Sequence, residues 1–248
     1  MVVKMKSRIN ENHWLITRAA AHRGFHGNGI AENSKSAFLK AIELNYPIET
    51  DIQLTKDGVP VCFHDDNLKR ITGIDSLVLD KTLAEIKELE ILDSGEKILT
   101  FEEFLTLVDG KVPLLIEIKT QKDNELIVEK TLNLLNSYKG EFVIQSFDPR
   151  VMRLVRKANP KIIRGQLMCS ARHKNVSLLT DRILSNGLLN FLSKPDFINM
   201  NKDYLPVSKR IAKGKKILCW TIRNEEDEQK VLKFVDGYVF ENITPTLK

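Results

Sequence analysis

A (β/α)8 barrel is the fold class that this sequence predicts, and three observations predict it. Short apolar runs alternate with amphipathic stretches about eight times from residue 16 to the end, the pattern of a parallel sheet whose strands are joined by helices. The length, 248 residues, suits one such barrel. An open, doubly wound sheet is the alternative, but no GxGxxG follows a strand and no GxxxxGK does either, so its usual phosphate loop is missing.

Taken in order, the apolar runs predict strands at Ile16–Ala21, Ile48–Leu54, Val59–Phe63, Val112–Ile118, Glu141–Ser146, Lys161–Leu167, Asp196–Asn199, Lys216–Thr221 and Gly237–Phe240. Helices are predicted between them. In Ser34–Leu44 the residues Ala37, Phe38, Ala41, Ile42 and Leu44 share one stripe, and Phe101–Val108, Asn124–Ser137, Pro149–Ala158, Val176–Asn186, Val207–Ala212 and Glu225–Phe234 repeat the periodicity. Asn33 or Ser34 can cap the first of these, and Asp148-Pro149 places proline in the first turn of another. Residues 65–100, with Thr72-Gly73 and a helical Leu83–Leu89, exceed a simple connection and predict a small insertion over one face of the barrel. Ser7–Leu15 is expected to cover the barrel bottom or the place of the last helix. Residues 1–248 read as a single domain.

Hydrophobic residues make up 42% of the chain and charged residues 29%, an ordinary globular composition that excludes disorder. The net charge of +5 is spread along the chain and no nucleic-acid-binding motif accompanies it, so no nucleic-acid partner is expected. Cys62, Cys169 and Cys219 are odd in number and far apart, which indicates neither a disulfide framework nor a zinc site. The N-terminus has basic residues but no apolar stretch of signal-peptide type, and nowhere do ~18 apolar residues run together. A cytoplasmic protein with no integral membrane segment is expected.

In a barrel of this class the reactive groups sit at the C-terminal ends of the strands. The first strand ends in Ala21-His22-Arg23-Gly24. The second reads Ile48-Glu49-Thr50-Asp51-Ile52-Gln53, and residues two apart in a strand face one side, so Glu49 and Asp51 point together. Two inward carboxylates raise one another's pKa, and a divalent cation resolves the conflict because hard cations prefer carboxylate oxygens. Phe63-His64-Asp65 delivers a second histidine. Ile116-Glu117-Ile118-Lys119 adds a third carboxylate, completing a metal site of Glu49, Asp51 and Glu117, and a lysine within reach of the same pocket. Such a rim suits phosphodiester cleavage. The metal and Arg23 neutralise the non-bridging oxygens, while one of His22 and His64 takes a proton from the nucleophile and the other gives one to the leaving alkoxide. Trp220, near the end of a late strand, reads first as a core residue.

These residues resemble the signatures of the glycerophosphodiester phosphodiesterase family. His22-Arg23-Gly24, Glu32-Asn33-Ser34 and Ala37-Phe38 with Ala41-Ile42 are similar to its opening block. Glu49-Thr50-Asp51-Ile52-Gln53-Leu54-Thr55-Lys56-Asp57-Gly58-Val59-Pro60-Val61, followed by Phe63-His64-Asp65, matches its second block almost position by position, and Glu117-Ile118-Lys119, Gln145-Ser146-Phe147, Trp220 and Asp236-Gly237 match later ones. Phe240-Glu241-Asn242 departs from the usual Thr-Asp-Asn. The resemblance implies a barrel with a short insertion after the second strand and hydrolysis of glycerophosphodiesters to sn-glycerol 3-phosphate and an alcohol. It implies His22 and His64 as the acid–base pair and Glu49, Asp51 and Glu117 as ligands of Mg2+ or Ca2+. It further implies Arg23 and Lys119 at the phosphate, Trp220 against the glycerol, and Glu32 near the substrate, holding its loop or capping the Ser34 helix. A lysophospholipase D-like phosphodiesterase on the same barrel is the nearest alternative. A non-catalytic binding protein would need a missing histidine or carboxylate, and a Ser146-based hydrolase would lack the GxSxG elbow and leave three carboxylates unexplained.

Overall fold

Residues 7–169 and 186–247 are described by a computed structural model of the chain. In chain order the first elements are α1 (Trp14–Thr17), β1 (Ala20–Ala21), α2 (Lys35–Glu43), β2 (Ile48–Leu54), β3 (Pro60–Cys62), α3 (Lys69–Thr72), α4 (Leu83–Glu88), α5 (Phe101–Val108), β4 (Leu114–Ile118) and α6 (Asn124–Leu135). Then follow β5 (Phe142–Ser146), α7 (Pro149–Ala158), β6 (Arg164–Met168), α8 (Asn190–Ser193), β7 (Phe197–Asn201), α9 (Lys209–Ala212), β8 (Lys216–Ile222), α10 (Glu225–Val231) and β9 (Gly237–Phe240). They fall into two compact units, one of Ala20–Phe142 and one of the described residues up to Ala19 with those from Val143 onward.

In the Ala20–Phe142 unit, β2 pairs in parallel with β1 and β4 and antiparallel with β3. Every residue of β2 is buried. Helices α2 and α5 meet through Phe38 and Phe104, whose ring centroids are 4.5 Å apart. Residues 65–100 pack onto the end of β3, where Leu68, Ile71, Val78, Ile86, Ile91 and Ile98 are buried together with Val61, Phe63 and Ala31. Each such side chain contributes about 1.5–3 kcal/mol on leaving water, so this segment is a packed platform. Thr82 caps α4 in a reciprocal box with Glu85, which starts the helix where the sequence places it.

In the other unit, β5, β6, β7, β8 and β9 form a parallel series, each paired with the next. Asp148 caps α7 and Pro149 opens it, as their spacing predicts. Helix α1 lies against the start of β9 so closely that a Cβ on Gly237 would stand 2.5 Å from the Leu15 carbonyl oxygen. That contact corrects one expectation. The strand predicted over Ile16–Ala21 is only Ala20–Ala21, because Leu15 and the residues beside it bury their apolar side chains as a helix against β9. The helix expected over Val176–Asn186 lies outside the described residues apart from Asn186.

Counting both units, eight strands run parallel to a neighbour, three in the first and five in the second, with β3 as an antiparallel addition. The fold is the predicted (β/α)8 barrel. Among the described residues no helix is long and apolar enough to cross a membrane.

Candidate active site

The site is built on β2. Alternation along the strand sends Glu49, Asp51 and Gln53 to one side and Ile48, Ile52 and Leu54 to the other. The parallel register with β4 then sets Asp51 opposite Glu117. One oxygen each from Glu49, Asp51 and Glu117 lies within 4.8 Å of the others, and the three residues are only 2%, 1% and 6% exposed.

Burial and mutual repulsion divide these carboxylates. Glu49 is pushed well above the usual carboxylate range by burial first, then by the charges of Asp51 and Glu117. Burial also raises Glu117, against the pull of Lys119. Asp51 goes the other way: burial would raise it, but Lys119, His64, Arg23 and His22 hold it well below the usual value. The Lys119 ammonium stands 3.0 Å from Glu117 Oε1 and 3.2 Å from Asp51 Oδ1. The geometry at Asp51 Oδ1 is not that of a hydrogen bond, and this buried oxygen has no hydrogen-bond partner. Lys119 itself is desolvated, yet the two carboxylates keep its pKa raised.

His22 and Arg23 follow β1 in a tight turn. Arg23 adopts φ 54° and Gly24 φ 81°, and a Cβ on Gly24 would come within 2.8 Å of the Ala37 carbonyl carbon and Cβ. Only glycine lets the turn sit this close to α2. The turn aims its groups at β2. Arg23 N–H donates to Glu49 Oε2 at 3.1 Å, Arg23 Nη1 donates to Glu32 Oε1 at 2.6 Å, and Arg23 Nε is 3.6 Å from Asp51 Oδ2. His22 Nε2 is 4.0 Å from Glu49 Oε2. Burial disfavours the Arg23 charge, and Asp51, Glu32 and Glu49 more than offset that.

His64 emerges just past β3. Phe63 N–H donates to the Asp51 carbonyl at 3.0 Å, and the buried Gln53 amide donates to the carbonyls of Phe63 at 2.9 Å and Asp65 at 2.8 Å. Gln53 thus grips the backbone on both sides of His64. The ring itself is partly exposed, with Nδ1 2.6 Å from Asp65 Oδ1.

All the sequence-predicted residues from His22 to Lys119 therefore lie in the Ala20–Phe142 unit, and Arg23, Glu32, Glu49, Asp51, Glu117 and Lys119 are linked by direct contacts. Trp220 lies in β8 of the other unit, where its Nε1 donates to the Asn199 carbonyl at 3.3 Å and its ring meets Phe147 edge-on at 5.7 Å. Ser34 caps α2, so Glu32 does not; its carboxylate is taken by Arg23 and Arg70. Asn33, an alternative cap in the sequence reading, instead donates to Asp51 Oδ2 at 3.4 Å and accepts from Thr50 Oγ1 at 2.9 Å. Sequence reasoning passed over Gln53, Asp65 and Arg70 as functional groups. Gln53 carried a signal, since it continues the alternation of Glu49 and Asp51; Arg70 carried none beyond its charge.

The donor set fits a hard divalent cation. It is three carboxylates with no sulfur or imidazole among them, buried, and with one oxygen of Asp51 left without a hydrogen bond.

The model of the glycerophosphoryl diester phosphodiesterase family matches residues 22–243. A glycerophosphodiester phosphodiesterase of Caldanaerobacter subterraneus subsp. tengcongensis is 31% identical over 238 residues, 91% of this chain and 94% of that protein. Among solved structures, a phosphodiesterase of Oleispira antarctica in complex with its product sn-glycerol-3-phosphate is similar with a TM-score of 0.75 and 25% identity, covering 90% of this chain and 92% of that one. A glycerophosphodiester phosphodiesterase of Thermotoga maritima is similar with a TM-score of 0.68 and 26% identity, covering 90% and 94%. With its buried carboxylates, flanking histidines and arginine in the positions that the family's match spans, this chain belongs to the glycerophosphoryl diester phosphodiesterase family and is a phosphoric diester hydrolase.

Proposed function

We propose that this chain, working as a single domain, hydrolyses glycerophosphodiesters to sn-glycerol 3-phosphate and an alcohol, with a divalent cation, Mg2+ or Ca2+, held by Glu49, Asp51 and Glu117 and with His22 and His64 moving the protons. The buried three-carboxylate cluster carries the reading. Three acids in one desolvated space are unfavourable for the fold alone, and a hard cation relieves them. When bound, that cation neutralises charge on the non-bridging oxygens of the phosphodiester. Arg23 and Lys119 add fixed positive charge beside it. One histidine accepts the proton of the attacking oxygen and the other protonates the departing alkoxide, so the proton count balances. Glu32 serves the substrate side by holding the Arg23 guanidinium, and Trp220 offers an aromatic face to the glycerol. A cytoplasmic setting belongs to the same reading, supported by the odd number and wide spacing of Cys62, Cys169 and Cys219 in the sequence.

A second reading, a lysophospholipase D-like activity, draws on the apolar surface that Ile74, Leu77 and Leu92 expose on the insertion, at 42%, 43% and 54%. One experiment tests both: hydrolysis of glycerophosphocholine, glycerophosphoethanolamine and lysophosphatidylcholine, with EDTA and then with added Mg2+ or Ca2+. Glycerophosphodiester turnover that EDTA abolishes and a cation restores is the expected result. Full activity in EDTA would remove the metal assignment, and turnover of the lysophospholipid alone would favour the second reading.

A further inference from the structure

Arg70 stands on α3 of the insertion, outside the groups assigned above, yet it holds both carboxylates that back them. Its Nε donates to Asp65 Oδ2 at 2.6 Å and its Nη2 to Asp65 Oδ1 at 3.1 Å. Its Nη1 donates to Glu32 Oε2 and its Nη2 to Glu32 Oε1, each at 2.8 Å. Each acid has a second partner in the site: Asp65 Oδ1 is 2.6 Å from His64 Nδ1, and Glu32 Oε1 accepts from Arg23 Nη1 at 2.6 Å. A continuous chain results, from His64 through Asp65, Arg70 and Glu32 to Arg23.

The Arg70 side chain is 48% exposed while Glu32 and Asp65 are 14% and 25% exposed, so the bidentate network adds some stability. Stability alone would not require both acids to be ones that also hold Arg23 and His64. Geometry accounts for this arrangement. A guanidinium is planar with its donors in a fixed fork, so gripping two carboxylates along two edges sets the angle between them. The base of the fork is firm as well, because Leu68 and Ile71, on either side of Arg70, are buried in the core that the insertion shares with β3.

Resting on the reading that His64 transfers a proton and Arg23 binds the phosphate, we propose that Arg70 is a positioning residue that ties Asp65 to Glu32, so that the insertion orients His64 and Arg23 together. Burial would raise the Asp65 carboxyl, but the hydrogen bonds from Arg70 and His64 bring it down to about 2. Asp65 is therefore an acceptor at working pH. His64 must donate from Nδ1, which leaves Nε2 as the nitrogen that meets the reacting oxygen. Without Arg70, Asp65 is free to turn from His64, and Glu32 can draw Arg23 away from the phosphate.

The test compares wild type, Arg70→Met, Arg70→Lys and His64→Ala on glycerophosphocholine, and records the two-bond 15N–1H spectrum of the His64 imidazole. Arg70→Met keeps the apolar stem and removes the fork. Its kcat/KM is expected to fall about 10–100-fold, as for other supporting hydrogen-bond partners of active-site groups, with kcat falling and KM rising because both arms are released. Free guanidinium at non-denaturing concentration is expected to restore much of the rate, and Arg70→Lys little. In the spectrum, His64 is expected as the Nδ1–H tautomer in wild type and as a mixture in Arg70→Met. An unchanged tautomer, or a rate loss that follows a lowered Tm and resists guanidinium, would overturn the proposal. An inactive wild type or a fully active His64→Ala would instead defeat the catalytic reading, while the tautomer would still decide whether the tie exists.

Discussion

Glu49 shows most clearly how the candidate site differs from an ordinary buried ion pair. It is buried against Asp51 and Glu117 and has the Arg23 backbone N–H as its hydrogen-bond donor. Its partners within reach are mostly of its own charge. The histidines are the complementary case, being partly exposed and each beside a carboxylate, His22 near Glu49 and His64 at Asp65. His22→Ala and His64→Ala are each expected to lower kcat on glycerophosphocholine by about two or more orders of magnitude, the usual worth of positioned proton transfer. A variant within a few-fold of wild type in a steady-state assay would take that histidine out of the chemistry. At this scale the sequence was legible wherever a short-range rule applied. The i, i+2 spacing of Glu49 and Asp51 placed both on one side of β2 because strand geometry alone does so. Arg70 and Glu32 are 38 residues apart, and no local rule brings them together.

The turn after β1 is the element on which the site depends. It carries His22 and Arg23, returns to α2 through the Phe25 N–H bond to the Ala37 carbonyl at 2.9 Å, and leaves no room for a Cβ at Gly24. Gly24→Ala combines a positive φ with a backbone clash, so it is expected to cost about 1–3 kcal/mol of stability and to reduce activity with it. Chemical denaturation beside an activity assay checks this, and a variant with wild-type midpoint and rate would show that the turn yields without cost. Elements were legible to differing degrees. The apolar pattern located β2 and α5 to the residue because their side chains are buried where the period demands. The same pattern misread the start of the chain, since an apolar run has no means of stating that it will pack as a helix on β9.

For the whole molecule, the charge in the site links stability to pH and to cation. Glu49 binds its proton more tightly in the folded chain than in the unfolded one. Its stabilising contribution is complete below the ordinary carboxylate pKa of about 4.3 and is lost as pH rises through the raised value. The chelated protein is therefore expected to lose Tm as pH rises from about 5 to 8, at roughly 2–4 °C for each kcal/mol in a domain of this size. Glu49→Gln should flatten that slope, and Mg2+ or Ca2+ should raise Tm in wild type but not in Glu49→Gln. Thermal melts across pH decide it, and a wild type whose Tm is flat in EDTA would contradict the burial argument. The sequence by itself determined the fold class, the carboxylate triad, the two histidines and the family, because these rest on periodicity and contiguous motifs. Only the tertiary structure decided that Asp51 faces Glu117 across the β2–β4 register, that Gln53 grips the His64 backbone, that Asn33 serves Asp51 rather than a helix cap, and that Arg70 joins the supports of His64 and Arg23. Those pairings depend on register and on closure of long loops, which a chain acquires only when its core packs.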